Sequence, residues 1–210
     1  MKLRYITCSD PRETTPAEDV LRLSQIAPNV EIAVQAHPSK MSFDMPRYKW
    51  LNRLLKESLS MPTAPNLAVH VNMDWCDKLC QGILVPELID VFFLLRDDGL
   101  PVVRRWQINF HGSNTKKFNT DKIATLLHNS PNREFIFQYG ASEYHRVQRL
   151  NNSGAQFSVL YDASGGTGKL TKNWRGPLFE NHPQGYAGGL SPENVSENLE
   201  DNQENYYKKD

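Results

Sequence analysis

Two segments in the last quarter of the chain carry residues whose types and spacing can do chemistry. The first is Leu160-Tyr161-Asp162-Ala163-Ser164-Gly165-Gly166-Thr167-Gly168-Lys169. An apolar run ends in a carboxylate, able to give or take a proton, and passes into a loop whose glycines let backbone N–H groups close on an anion. The loop lacks the nucleotide-triphosphate spacing, which sets four residues between its first glycine and Gly-Lys. A flexible turn capped by Asp162 is the simpler alternative. The second segment is Ala187-Gly188-Gly189-Leu190-Ser191-Pro192-Glu193-Asn194-Val195. Here two glycines precede a helix start, where free N–H groups and the helix dipole suit a phosphate ester. An ordinary strand-to-helix turn is its competing reading.

The elements that must position these residues alternate along the chain. Short β-branched or aromatic runs at Leu3–Thr7, Val30–Gln35, Leu67–Asn72, Trp106–His111, Glu134–Tyr139 and Phe157–Asp162 predict strands, and Gly185–Leu190 continues the series. Between them lie helical stretches. A capping box at Thr15-Pro16-Ala17-Glu18 opens one, Asp44 and Thr120 cap two more, and Pro86–Leu95, Ser142–Leu150 and Ser191-Pro192-Glu193 mark the others. Strands separated by helices mean βαβ units, a parallel sheet and right-handed crossovers. A doubly wound sheet announces itself with a glycine-rich turn after its first strand, whereas this chain has Cys8-Ser9-Asp10-Pro11 there. Glycines gathered late in the chain favour a (β/α)₈ barrel of the TIM type, which binds phosphate at its last strands. The chain reads as one such domain over residues 1–210, with a long connection between the third and fourth strands around 73–105.

In a parallel α/β fold the working residues lie at the carboxyl ends of strands. Those ends read Thr7-Cys8, His37-Pro38-Ser39-Lys40, Asn72, His111-Gly112, Gln138-Tyr139, Asp162 and Gly188-Gly189. The two late motifs together resemble the C-terminal half of the phosphoribosylanthranilate isomerases, (β/α)₈ barrel enzymes of tryptophan biosynthesis. Ile108-Asn109-Phe110-His111-Gly112 is similar to that family's Gln-Leu-His-Gly, with Asn109 in place of Gln. Leu67-Ala68-Val69-His70-Val71-Asn72 and Pro38-Ser39-Lys40 resemble the third strand and the end of the second. The resemblance implies an Amadori rearrangement of an N-aryl aminoribose 5-phosphate to an aminoketose phosphate, with no metal or organic cofactor. It makes Asp162 the general acid that opens the furanose ring and Cys8 the base that removes the C2 proton. It places the sugar phosphate among Gly165, Gly166, Gly168, Gly188, Gly189, His111 and Lys40.

Three departures qualify that expectation. The family's Lys-Ile-Cys-Gly becomes Ile6-Thr7-Cys8-Ser9, so either Thr7 or Cys8 faces the site. Met41 stands where the family has an arginine for the substrate carboxylate, which opens the choice of aglycone. Seven βα units use up the chain, so the eighth is expected to be missing from it. A sugar-phosphate barrel with different chemistry and a non-catalytic binding paralogue are the alternatives.

Composition bounds the partners. The 210 residues hold 24 Lys and Arg against 24 Asp and Glu, a neutrality that gives no electrostatic case for nucleic acid or a membrane surface. No run approaches the roughly 18 apolar residues of a membrane span. Three cysteines and an N-terminus broken by Ser9-Asp10-Pro11-Arg12 predict a cytoplasmic protein, as a monomer or homodimer acting on a small sugar phosphate. Cys76 and Cys80, with His70 and Asp74 nearby, lack a second pair at zinc spacing and predict no metal site. His128, His145 and His182 read as surface residues, and Trp50, Phe92, Phe93 and Trp106 as core.

Overall fold

The computed structural model describes residues 3–110, 117–140, 142–162, 164, 167–170 and 176–198. Its strands are β1 (Ile6–Ser9), β2 (Val30–Ala36), β3 (Asn66–Val71), β4 (Arg105–Ile108), β5 (Glu134–Tyr139), β6 (Ser158–Asp162) and β7 (Gln184–Ala187). The helices are α1 (Ala17–Ser24), α2 (Pro46–Leu59), α3 (Met73–Leu79), α4 (Pro86–Phe93), α5 (Thr120–His128) and α6 (Tyr144–Asn152). The strands form a single seven-stranded sheet in the order β1-β2-β3-β4-β5-β6-β7, every neighbouring pair parallel. It curls into a half-barrel. Sequential order with one crossover hand keeps the helices on one side of the sheet. The order never reverses, which separates this sheet from a doubly wound one.

Pairing sorts the strand residues into two faces, because partners in a parallel ladder point the same way and successive residues alternate. One face carries Ile32, Val34, Leu67, Val69, Val71, Trp106, Ile108, Phe135, Phe137 and Val159, all buried in one core with Leu21, Leu51, Leu54, Leu88 and Val147 of the helices. The inner face, turned from the helices, is largely polar. Its rows run Thr7–Glu31–Asn66, then Ser9–Ala33–Ala68–Arg105–Glu134, then Gln35–His70–Gln107–Ile136–Ser158. Gln138–Leu160–Gly185 and Asp162–Ala187 complete it. The second row starts at the last residue of β1 and ends at the first of β5, so the strands are staggered as tilted barrel strands are.

At the amino-terminal ends of the strands this inner face is closed by ions. Arg105 bonds Glu31 at 2.6 Å and lies 3.3 Å from Glu134, which also holds Arg4 at 3.0 Å. Thr7 Oγ1 donates to Glu31 at 2.8 Å, and the Arg105 guanidinium packs over the Tyr5 ring at 4.1 Å. Burial pushes the Glu31 carboxyl above its ordinary range, with Arg105 and Thr7 acting against that rise. Arg4 and Tyr5 thus belong to this plug, and β1 starts only at Ile6 rather than at Leu3.

Other boundaries also move. Pro16 and Met45 occupy the cap positions of α1 and α2 without a side-chain bond, in place of Thr15 and Asp44. Asn119 caps α5 instead of Thr120, its side chain accepting the Lys122 N–H. The long connection after β3 contains two helices, α3 and α4, and a short bridge between Leu95 and Pro101. Phe93 ends α4 at 64% exposure and is not core, unlike Trp50, Phe92 and Trp106. His182 is buried, stacked on Phe157 at 4.1 Å with ring nitrogens against Phe157 O and Asn151 Oδ1, so it anchors the β6–β7 connection. Among the described residues no helix is long and apolar enough to cross a membrane.

Candidate active site

Asp162 closes β6 on the inner face, 9% exposed. Its carboxylate accepts from Gln138 and from Ser164. Gln138 Nε2 gives to Oδ2 at 2.8 Å from the adjacent strand, while the Ser164 N–H and hydroxyl both give to Oδ1, at 2.9 and 2.7 Å. Ser164 Oγ in turn accepts the Gly168 N–H at 3.1 Å. The carboxylate therefore organises the start of the glycine-rich loop as well as facing the inner side of the sheet. Turn anchor and proton-transfer group are the same residue here.

The glycines divide by role. Gly188 has φ +117, and a Cβ there would lie 3.3 Å from Asp162 Oδ1. The end of β7 therefore passes directly beside the carboxylate. Gly189 has φ +66, and a Cβ would fall 2.3 Å from the Leu170 backbone nitrogen. Its missing side chain admits the 168–170 segment, so it serves loop-on-loop packing in addition to any anion. The backbone N–H of Gly168 is taken by Ser164. Gly165, Gly166 and His111 lie outside the described residues.

Cys8 does not join Asp162. It pairs with Ile32 in the ladder and packs against the core on the helix side, whereas Thr7 pairs with Glu31 on the inner face. Of the two residues left open for this position, the pairing with Glu31 and Ile32 turns Thr7 inward and Cys8 toward the helices. The inward Thr7 hydroxyl is engaged by Glu31.

The end of β2 also differs from expectation. Lys40 is exposed, and Met41 is fully buried in the core. Arg47, at the start of α2, is 4% exposed. Its guanidinium binds Asp10, Glu13 and the Pro11 carbonyl, clamping the loop after β1 onto α2. Asp10 takes φ +60 in that loop, a strained conformation this clamp holds in place. His37 Nδ1 lies 3.0 Å from Ser39 Oγ, and burial, with Lys40 nearby, lowers the imidazole's affinity for a proton.

Sequence reading named Asn72 and Asn109 but missed Gln107 and the bonds that link the three. Gln107 donates to Asn109 at 2.7 Å, Asn109 to Asn72 Oδ1 at 2.8 Å, and Asn72 to the His70 carbonyl at 2.9 Å. This chain lines the ends of β3 and β4 beside His70, whose pKa is lowered to about 4 by desolvation and by Arg105. Alternation of Gln107 and Asn109 with apolar neighbours was the available signal, and it became readable only with the face assigned. Cys76 and Cys80 are buried in and at the end of α3. Among the described residues no group of three or more His, Cys, Asp or Glu is placed to hold a metal. A surface cleft of about 930 Å³ lies elsewhere, lined by Lys117, Asn119, Thr120, Arg149 and Ser153 among others, and contains none of the strand-end groups. Comparison of the chain with family models, curated proteins and solved structures gives no match.

Proposed function

We propose that the chain is a divergent (β/α)₈ barrel isomerase resembling the phosphoribosylanthranilate isomerases, acting on an N-aryl aminoribose 5-phosphate. The observation that carries this reading is the meeting of Asp162 with Gly188 at neighbouring strand ends, a proton-transfer group beside a glycine pair suited to a phosphate ester. The sequential parallel sheet and its stagger support the barrel type. In the reaction, protonated Asp162 gives its proton to the furanose ring oxygen as the C1–O bond breaks and nitrogen supplies the electron pair, leaving a Schiff base. A base then takes the C2 proton, the C–H electron pair forms the C1=C2 bond as the C1=N pair returns to nitrogen, and the enaminol becomes the aminoketose as C1 gains a proton and the C2 hydroxyl loses one.

A second reading keeps the barrel and the phosphate site but changes the chemistry. The placement of Cys8 on the helix side of the sheet, against the core, favours it, because the resemblance relied on that thiol as the base. One assay separates the two. Loss of the N-aryl substrate's fluorescence, followed with wild type and Asp162→Asn, should show turnover that falls by about 100-fold or more in the variant. Absence of turnover by the wild type, or equal rates in both, rejects the isomerase. Binding of ribose 5-phosphate without isomerisation supports the second reading.

A further inference from the structure

Two features on the outside of the molecule take no part in the strand-end site. The first is the outer row of α4. Ile89 and Phe93 stand four residues apart, and so on one row of the helix, with Phe93 64% exposed. Ile83, just before the helix, and Leu95, just after it, are 52% and 50% exposed. Acids border this ridge: Glu87 and Asp90 on the helix, then Asp97 and Asp98 in the turn that follows, where Arg96 lies 3.7 Å from Asp98. Large apolar side chains exposed together and rimmed by charge mark an interaction surface. The second feature is the cleft of about 930 Å³ between the start of α5 and the end of α6. Its lining has the complementary character. Lys117 and Arg149 are exposed cations there, with Asp121 as an acid, and the Phe118 ring, packed on Phe110 at 4.7 Å, gives an apolar wall. Lys117 is shared with Asp77 at 2.9 Å, which leaves Arg149 the less committed of the two cations.

Ridge and cleft flank one connection, the segment from α3 to α4. Gln81 of that segment lines the cleft, the Asn119 N–H donates to the Cys80 carbonyl at 2.9 Å, and a Cβ on Gly82 would lie 3.1 Å from Lys122. A two-fold axis beside this connection sets the ridge of each molecule against the cleft of the other. We propose that the chain forms a two-fold homodimer in which the α4 ridge of each copy seats in the α5–α6 cleft of its mate. Ile89 and Phe93 meet the Phe118 wall, and Asp90 with the neighbouring acids faces Arg149. A second copy answers both features at once, since it brings acids and an aromatic to the cleft and offers the same cleft in return. One self-complementary patch used twice is how two-fold dimers are built. Using it twice also brings a single helix row toward the roughly 800 Å² per partner of a stable interface. The proposal does not depend on the reaction at Asp162.

Sedimentation of the whole chain at micromolar concentration tests it. Wild type should run as a dimer. Asp90→Lys and Arg149→Glu each set like charges against one another at both contacts, and each should raise the dissociation constant on the order of 100-fold. Mixed in equal amounts, the two variants should recover a dimer, because every ridge then meets a cleft of opposite charge. Recovery needs both variants folded, so loss of structure cannot imitate it. Phe93→Ser should weaken association by about 100-fold as well. Ile6→Lys, which blunts the β1 edge, should leave the dimer in place. A monomeric wild type overturns the proposal, as does a mixture no more associated than its components. Dimers that survive Phe93→Ser but not Ile6→Lys also overturn it, and place the contact at the strand edge.

Discussion

His70 shows what the inner face does to a single side chain. Its neighbours in the sheet are Gln35 and Gln107, and Arg105 lies on the same face. With its pKa near 4 in the fold and an ordinary 6.5 when unfolded, it is neutral in the native protein at neutral pH. The unfolded chain binds this proton first, so stability is full above pH 6.5 and is lost as pH falls toward 4. By pH 4.5 the loss from this group is on the order of 2–3 kcal/mol. His70→Gln should remove that part of the acid sensitivity, measured as urea-unfolding free energy at pH 7.5 and 4.5; equal losses in both proteins would refute the assignment. Glu31 acts with the opposite sign. Its carboxyl is held above the usual range, so taking up a proton on acidification favours the fold. At this scale Asp162 was legible as a strand-end carboxylate before a glycine loop. Its grip by Gln138 was not, because the two are 24 residues apart and meet only across a strand pairing.

Elements decide what glycine and ion pairs are worth. Gly168 has open space around a Cβ position, whereas at Gly189 a Cβ would strike the Leu170 backbone. Both have positive φ, so alanine strains each, but only Gly189→Ala must also push two loop segments apart. It should destabilise by more than about 1 kcal/mol and weaken ribose 5-phosphate binding, with Gly168→Ala clearly milder on both counts. Thermal melts with and without the ligand check this. Arg105 joins β4 to β2 and β5 through Glu31 and Glu134. Arg105→Ala leaves Glu31, 1% exposed, without its cation and should cost about 3 kcal/mol. Arg105→Met with Glu31→Leu should recover most of that loss, since it removes the buried charge too. A double-mutant cycle showing additive losses would contradict the pairing. The strands β2, β3, β5 and β6 were legible because their runs are rich in β-branched, aromatic or other apolar residues. The start of β1 was not, because Arg4 and Tyr5 look like strand residues but are used in the ion plug.

At the scale of the whole molecule, the sheet is a half-barrel with two ends. Among the described residues β1 pairs only with β2 and β7 only with β6. Strand edges with free N–H and C=O groups invite further pairing. Ile6, at 41% exposure, and Leu3, at 44%, put apolar surface at the β1 edge. Association that grows with concentration is expected in light scattering, and Ile6→Lys should reduce it. An unchanged mass for wild type across a hundredfold dilution series would argue that both edges are covered.

The alternation of strands and helices, the parallel sheet and the order in which Asp162 and its glycines arrive are properties of the sequence by itself. Each depends on local composition and on residues close together in the chain, which hydrophobic runs and turn chemistry record directly. Which way each strand side chain points was decided by the tertiary structure. Strand side chains alternate with a period of two, so a small shift in where β1 is paired moves Thr7 inward and turns Cys8 toward the helices. The same pairing brings Gln138 to Asp162 and Gly188 beside it, contacts between strands that no local pattern encodes.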